Sequence, residues 1–115
     1  MRSVISGTLL ALIALTGCDD KPAAPTPVVL DTRLLDIYDR TCAACHANNP
    51  ESGAPQAHDV AAWKPRLSFG DETLLDHSIQ GFNGMPPLGQ CVECNADDLM
   101  QLIHFMAAPL ASKEK

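Results

Sequence analysis

"TCAACH", residues 41–46, sets two cysteines three positions apart with a histidine directly after the second. A second pair, "CVEC", stands at 91–94, so four sulfurs need an assignment before a fold can be drawn. Residues i and i+3 lie on one side of a helical turn, so Cys42 and Cys45 present neighbouring sulfurs with His46 just beyond them. This is the attachment pattern of c-type haem, in which two thioethers clip the macrocycle and the histidine is held under the iron. A dithiol of the thioredoxin kind needs a strand-to-helix junction, and no strand pattern precedes these residues. A zinc site of Cys42, Cys45, Cys91 and Cys94 has a gap between its pairs far longer than a zinc ribbon's, and leaves His46 without a task.

The chain has 115 residues, 46% of them apolar, which bounds it to one small domain, and part of that apolar content belongs to a leader. Met1-Arg2-Ser3 is a short positive start, the run from Val4 to Leu15 is too short to span a bilayer, and Leu15-Thr16-Gly17-Cys18 closes it. Residues 1–17 read as a signal peptide ending in a lipobox, with Cys18 as the acylated first residue of the mature chain. Each buried methylene contributes about 0.8 kcal/mol, so two or three acyl chains make a durable anchor. Asp19-Asp20 points to retention on the periplasmic side of the inner membrane, the outer membrane being the other possible site. Residues 18–30, with prolines at 22, 25 and 27, read as an extended tether. Loss of Arg2 with the leader takes the formal charge from -6 to -7, which excludes a basic nucleic-acid surface.

The domain proper is expected over 31–110, with a tail at 111–115. Asp31 caps a helix whose stripe is Leu34, Leu35 and Tyr38, and which runs into TCAACH so that the cysteines sit at its C-terminus. From Ala47 to Ser68 the composition reads as a long loop with one helical turn near 60–63. A second helix starts at Asp71, buries Leu74, Leu75 and Ile79, and stops at Gly81. A last helix has Asn95 as N-cap with Asp98 three residues on, and Leu99, Leu102, Ile103 and Met106 as its apolar face. No strand pattern or repeat appears, so the fold class is small all-α.

Haem iron that does not bind a gas or a substrate needs a sixth ligand. Met85, in Gly84-Met85-Pro86-Pro87, is the expected one, because the glycine permits close approach and the prolines stiffen the loop. Met100 and Met106 fit the core of the last helix better, and His58, His77 and His104 lack a supporting loop. With Cys18 acylated and the first pair on haem, a local disulfide between Cys91 and Cys94 accounts for all five cysteines and pins the turn before the last helix.

From Tyr38 to Met106 the sequence resembles a class I c-type cytochrome, specifically the cytochrome c5 family. The resemblance is carried by "CAACH", "GAP" at 53–55, "AAWKPR" at 61–66, "GMPP" at 84–87, "CVECNADDL" at 91–99 and "IHFM". It implies three to four helices around one covalently bound haem c, with the first and last crossing near the attachment site. It makes His46 and Met85 the axial pair and Cys91–Cys94 the family's disulfide. It also places the Pro55 carbonyl on His46 Nδ1, Trp63 beside the haem and Arg66 at a propionate. Two features depart from the pattern: the long loop "HANNPESGAP", and Leu88-Gly89-Gln90 where a more basic stretch is expected.

The function expected from these residues is transfer of single electrons between respiratory redox proteins, with no catalytic residue and no small-molecule substrate. A quinol-oxidising complex is the expected donor class, and a terminal oxidase or periplasmic reductase the acceptor class. A haem protein with an open iron site and a four-cysteine zinc module are the alternatives.

Overall fold

The computed structural model describes residues 26–111. The expected signal peptide, Cys18, the first part of the expected tether and residues 112–115 lie outside the described residues. Within them the chain forms five helices and no strand: α1 (Thr32–Arg40), α2 (Ala43–His46), α3 (Val60–Leu67), α4 (Asp71–Gln80) and α5 (Ala96–Ala107). Single 3-10 turns at Pro50–Ser52 and Pro87–Gln90 complete the pattern. The all-α expectation agrees with this, α2 being a helix of one turn only.

The helix starts follow the sequence. Asp31 accepts a hydrogen bond from the Leu34 amide at 2.7 Å, closing the first turn of α1. At α5, Asn95 accepts from the Asp98 amide at 2.9 Å while the Asp98 carboxylate accepts from the Asn95 amide at 3.2 Å, a complete capping box. Asp98 is itself buried and accepts from the Arg33 guanidinium, which ties α1 to α5. The Arg33 guanidinium and the Asn95 amide hold the Asp98 carboxyl below the usual carboxylate range.

The core joins Leu34, Ile37 and Tyr38 of α1 to Leu102, Ile103 and Met106 of α5, with Leu30, Trp63 and Leu74 closing it. Tyr38 meets the Phe105 ring edge-on at 5.1 Å. Three expectations are corrected. Ile37 rather than Leu35 completes the α1 stripe, because i, i+3 and i+4 centre on the face that meets α5 and leave Leu35 exposed. In α4 Ser78 takes the core place and Ile79 faces out, the Ser78 hydroxyl being satisfied by the Leu74 carbonyl at 2.9 Å. The cysteines do not close α1: that helix ends at Arg40 with Thr41 as its C-cap, and Cys42 is the N-cap of α2, a separate turn.

The loop expected over 47–68 contains a helix of two turns, α3, started by Asp59 on the Ala62 amide at 3.1 Å. Pro65 lies inside it and removes one helical donor, a cost offset by Trp63, which is 4% exposed in the core.

Candidate functional site

α2, α3, α4, the C-terminal half of α5 and the Met85 loop enclose a cavity of about 920 Å³. That is cofactor-sized rather than water-sized. Cys42, Cys45 and His46 reach it from α2, Pro55 from the loop, Trp63 and Arg66 from α3, and Met85 from the segment after α4. All seven residues singled out for the cofactor therefore line one space.

His46 is held from several directions. Its Nδ1 donates to the Pro55 carbonyl at 2.8 Å, which leaves Nε2 as the lone-pair nitrogen. The Ala57 amide donates to the His46 carbonyl at 2.6 Å, and the imidazole stacks on Trp63 with centroids 5.9 Å apart. Trp63 in turn donates from Nε1 to the Gln56 carbonyl at 2.9 Å. Burial lowers the His46 pKa against the opposing effect of the Pro55 bond, which favours the neutral ring, the form that ligates a metal. Ser52 and Gln56 both donate to the Cys45 carbonyl, at 3.0 and 3.1 Å, so the long loop is fastened along the back of α2.

Cys42 and Cys45 carry free thiols, the first half-buried and the second exposed. Burial pushes the Cys42 thiol up, the opposite of what a reactive dithiol requires. Cys91 and Cys94 form a disulfide instead of facing the first pair. Among the described residues no three His, Cys, Asp or Glu side chains converge as a metal-binding group, so the four-cysteine zinc arrangement is not formed.

Met85 sits in a tight turn. Its amide donates to the Phe82 carbonyl at 2.9 Å and its carbonyl accepts from the Phe82 amide at 3.0 Å. Gly81 precedes that turn at φ +85, ψ 151, a region open in practice only to glycine. A Cβ there would stand 3.0 Å from both the Met85 carbonyl oxygen and the Pro87 nitrogen. At Gly89, φ +55, a Cβ would stand 3.2 Å from Met85 Cε. The two glycines thus bracket the methionine from its backbone and its methyl end, a role that reading Gly81 as a helix stop alone misses.

The histidines separate clearly. His58 donates from Nδ1 to the Ala108 carbonyl at 2.8 Å and its amide donates to Met106, which docks the long loop on the end of α5. His104 pairs with Asp71 at 3.0 Å. His77, by contrast, lines the cavity and stacks on Phe82 with centroids 3.9 Å apart, a placement its isolated position in the sequence does not reveal. Met106 also joins the wall, from a helix face that is otherwise core.

The donor set fits a haem c: two thiols at one edge of a cavity lined mainly by apolar side chains, a neutral imidazole, and a thioether whose seat is built by glycines.

Comparison with known proteins agrees. The family model described as "Cytochrome C oxidase, cbb3-type, subunit III" matches residues 31–106. Cytochrome c5 of Ectopseudomonas mendocina is 40% identical over 74 residues, covering 63% of this chain and 84% of that protein. Cytochrome c5 of Azotobacter vinelandii is 39% identical over 74 residues, covering 63% of this chain and 88% of that one. A chain in a crystal structure of an electron transfer complex of nitrite reductase with cytochrome c superposes with TM-score 0.56 at 30% identity, covering 69% of this chain and 95% of that chain.

Proposed function

The chain belongs to the class I c-type cytochromes, electron carriers with one covalently attached haem c, and on that footing we propose that it is a lipid-anchored, periplasm-facing member. Cys42 and Cys45 would hold the haem through two thioethers, and His46 and Met85 would ligate its iron. Cys18 carries the lipid, and 18–30 is the tether of the domain. The observation that carries the ligand assignment is the convergence of both thiols, the Pro55-oriented imidazole and the Met85 side chain on one cavity.

When bound, the haem supplies a one-electron couple. The protein's residues hold that couple in a constant setting. The Pro55 carbonyl fixes the His46 tautomer and raises its basicity as a ligand. Trp63 packs against His46 and excludes water from that side. Met85 would supply the second protein ligand to the iron, which would leave no open site there for a substrate. Arg66, on the cavity wall, offers a cation to a propionate.

The partners are redox proteins: a quinol-oxidising complex as donor, and a terminal oxidase or a soluble periplasmic reductase as acceptor. The likeness to a chain from a nitrite reductase complex supports the reductase class. The acidic balance, -6 for the whole sequence and -7 without Arg2 of the leader, favours partners that present basic rims. Carbon monoxide added to the reduced protein at neutral pH tests the closed iron: the spectrum stays unchanged if Met85 holds its place, and ready binding contradicts the reading. Cys18→Ser tests the anchor by moving the protein from the membrane to the soluble fraction; continued membrane retention refutes it.

A further inference from the structure

The turn that follows Met85 contains a run of unfavourable backbone. Leu88, Gly89 and Gln90 succeed one another at φ +58, +55 and +67. Only glycine adopts that region freely, so two of the three are held there against their own preference. Pro86 and Pro87 in front have fixed φ and cannot absorb the distortion.

Behind the turn stands the Cys91–Cys94 disulfide, with Cys91 2% exposed in the core. Backbone bonds link the two without a gap: Gly89 donates to Pro86 at 2.9 Å, Cys91 to Leu88 at 2.9 Å, Val92 to Gln90 at 3.1 Å and Cys94 to Cys91 at 3.1 Å. The same turn carries Gly89, whose missing Cβ leaves the space beside Met85 Cε. A crosslink spanning three positions closes too small a loop to do much for global stability. Its effect is local.

We propose that the Cys91–Cys94 disulfide locks the left-handed turn Leu88–Gln90 into a clamp that seats Met85 on the iron, making both of them positioning elements of the electron-transfer site. The inference rests on Met85 being the sixth ligand. Without the crosslink Leu88 and Gln90 relax toward ordinary backbone, Gly89 withdraws from the thioether methyl, and Met85 leaves the iron more often. One non-glycine residue in this region weights such an equilibrium by about tenfold.

The test uses the ferric holoprotein of Cys91→Ala/Cys94→Ala, held below its unfolding midpoint and titrated with imidazole as a competing ligand. Apparent affinity rises with the fraction of iron that Met85 has left, so imidazole binds at least about tenfold more tightly than to wild type. The reduction potential falls in parallel. Adding Gln90→Gly to the same background recovers much of both changes, because glycine takes φ +67 without penalty.

An affinity within about twofold of wild type overturns the clamp, as does a change that Gln90→Gly leaves untouched. If the crosslink had a merely structural role, its removal would lower the unfolding midpoint and move neither readout. Should the double variant not fold, Gly89→Ala in the crosslinked protein carries the test, with tighter imidazole binding expected and unchanged binding overturning the proposal. Met85→Ala distinguishes the two levels: an unaltered spectrum there removes the ligand assignment and the clamp with it, whereas an altered one beside an insensitive double variant removes the clamp alone.

Discussion

Gly70 and Gly81 offer a controlled comparison, because they share a backbone conformation and differ in surroundings. Gly70 has φ +85, ψ 158 and Gly81 has φ +85, ψ 151. Alanine in that region costs about 1–3 kcal/mol at either position. At Gly70 a Cβ meets nothing within 4 Å, so Gly70→Ala carries the backbone cost alone. At Gly81 the Cβ meets the Met85 oxygen and the Pro87 nitrogen at 3.0 Å, both backbone atoms that yield only if the loop moves. Overpacking of this kind adds about 1–3 kcal/mol, giving a total of about 2–6 kcal/mol for Gly81→Ala. In a domain of this size 1 kcal/mol lowers the melting temperature by about 4–8 °C, so thermal unfolding of the two holoproteins resolves the difference. The stronger discriminator is spectroscopic: Gly81→Ala weakens the ferric Met–iron charge-transfer band, and Gly70→Ala leaves it intact. Equal destabilisation with an unaltered band in both would refute the claim that Gly81 seats Met85.

Three further outcomes follow from the packing. Trp63→Ala empties the space under His46 and costs about 3–5 kcal/mol by chemical denaturation, whereas Trp63→Phe keeps most of the packing and loses the bond to the Gln56 carbonyl. Asn95→Ala removes the α5 cap and costs about 1 kcal/mol in the same assay, with no change in the visible spectrum. The Asp98 carboxyl, lowered chiefly by Arg33, contributes stability above its unfolded pKa that is lost as pH falls through the folded one; Asp98→Asn therefore flattens the acid limb of a stability–pH curve below about pH 4 and leaves its shape at pH 7 unaltered.

What was legible in the sequence was local. The caps at Asp31 and Asn95 and the stripe of α5 are each decided by residues within one or two helical turns, and they stand where expected, whereas the CAACH turn forms its own short helix instead of closing α1. What was not legible depends on neighbours. Whether Leu35 or Ile37 faces inward is set by where α5 lies, and Ser78 displaces Ile79 from the core because its hydroxyl returns to its own helix. Composition made 47–68 a loop with a single turn near 60–63, and the Pro65 that lies inside α3 disfavours a longer helix. Tertiary burial of Trp63 overrides that preference. His77 is the same lesson at the site: its stacking partner Phe82 is five residues on, but the cavity that both line exists only once α2, α3 and the Met85 loop close around it.

The central claim is that an imidazole and a thioether from this one cavity close both axial positions of the iron. The visible and magnetic spectra of ferric Met85→Ala beside wild type test it most directly. The account predicts loss of the Met–iron band together with an iron that now accepts imidazole or carbon monoxide readily; a variant with the wild-type spectrum and no added ligand affinity would contradict it.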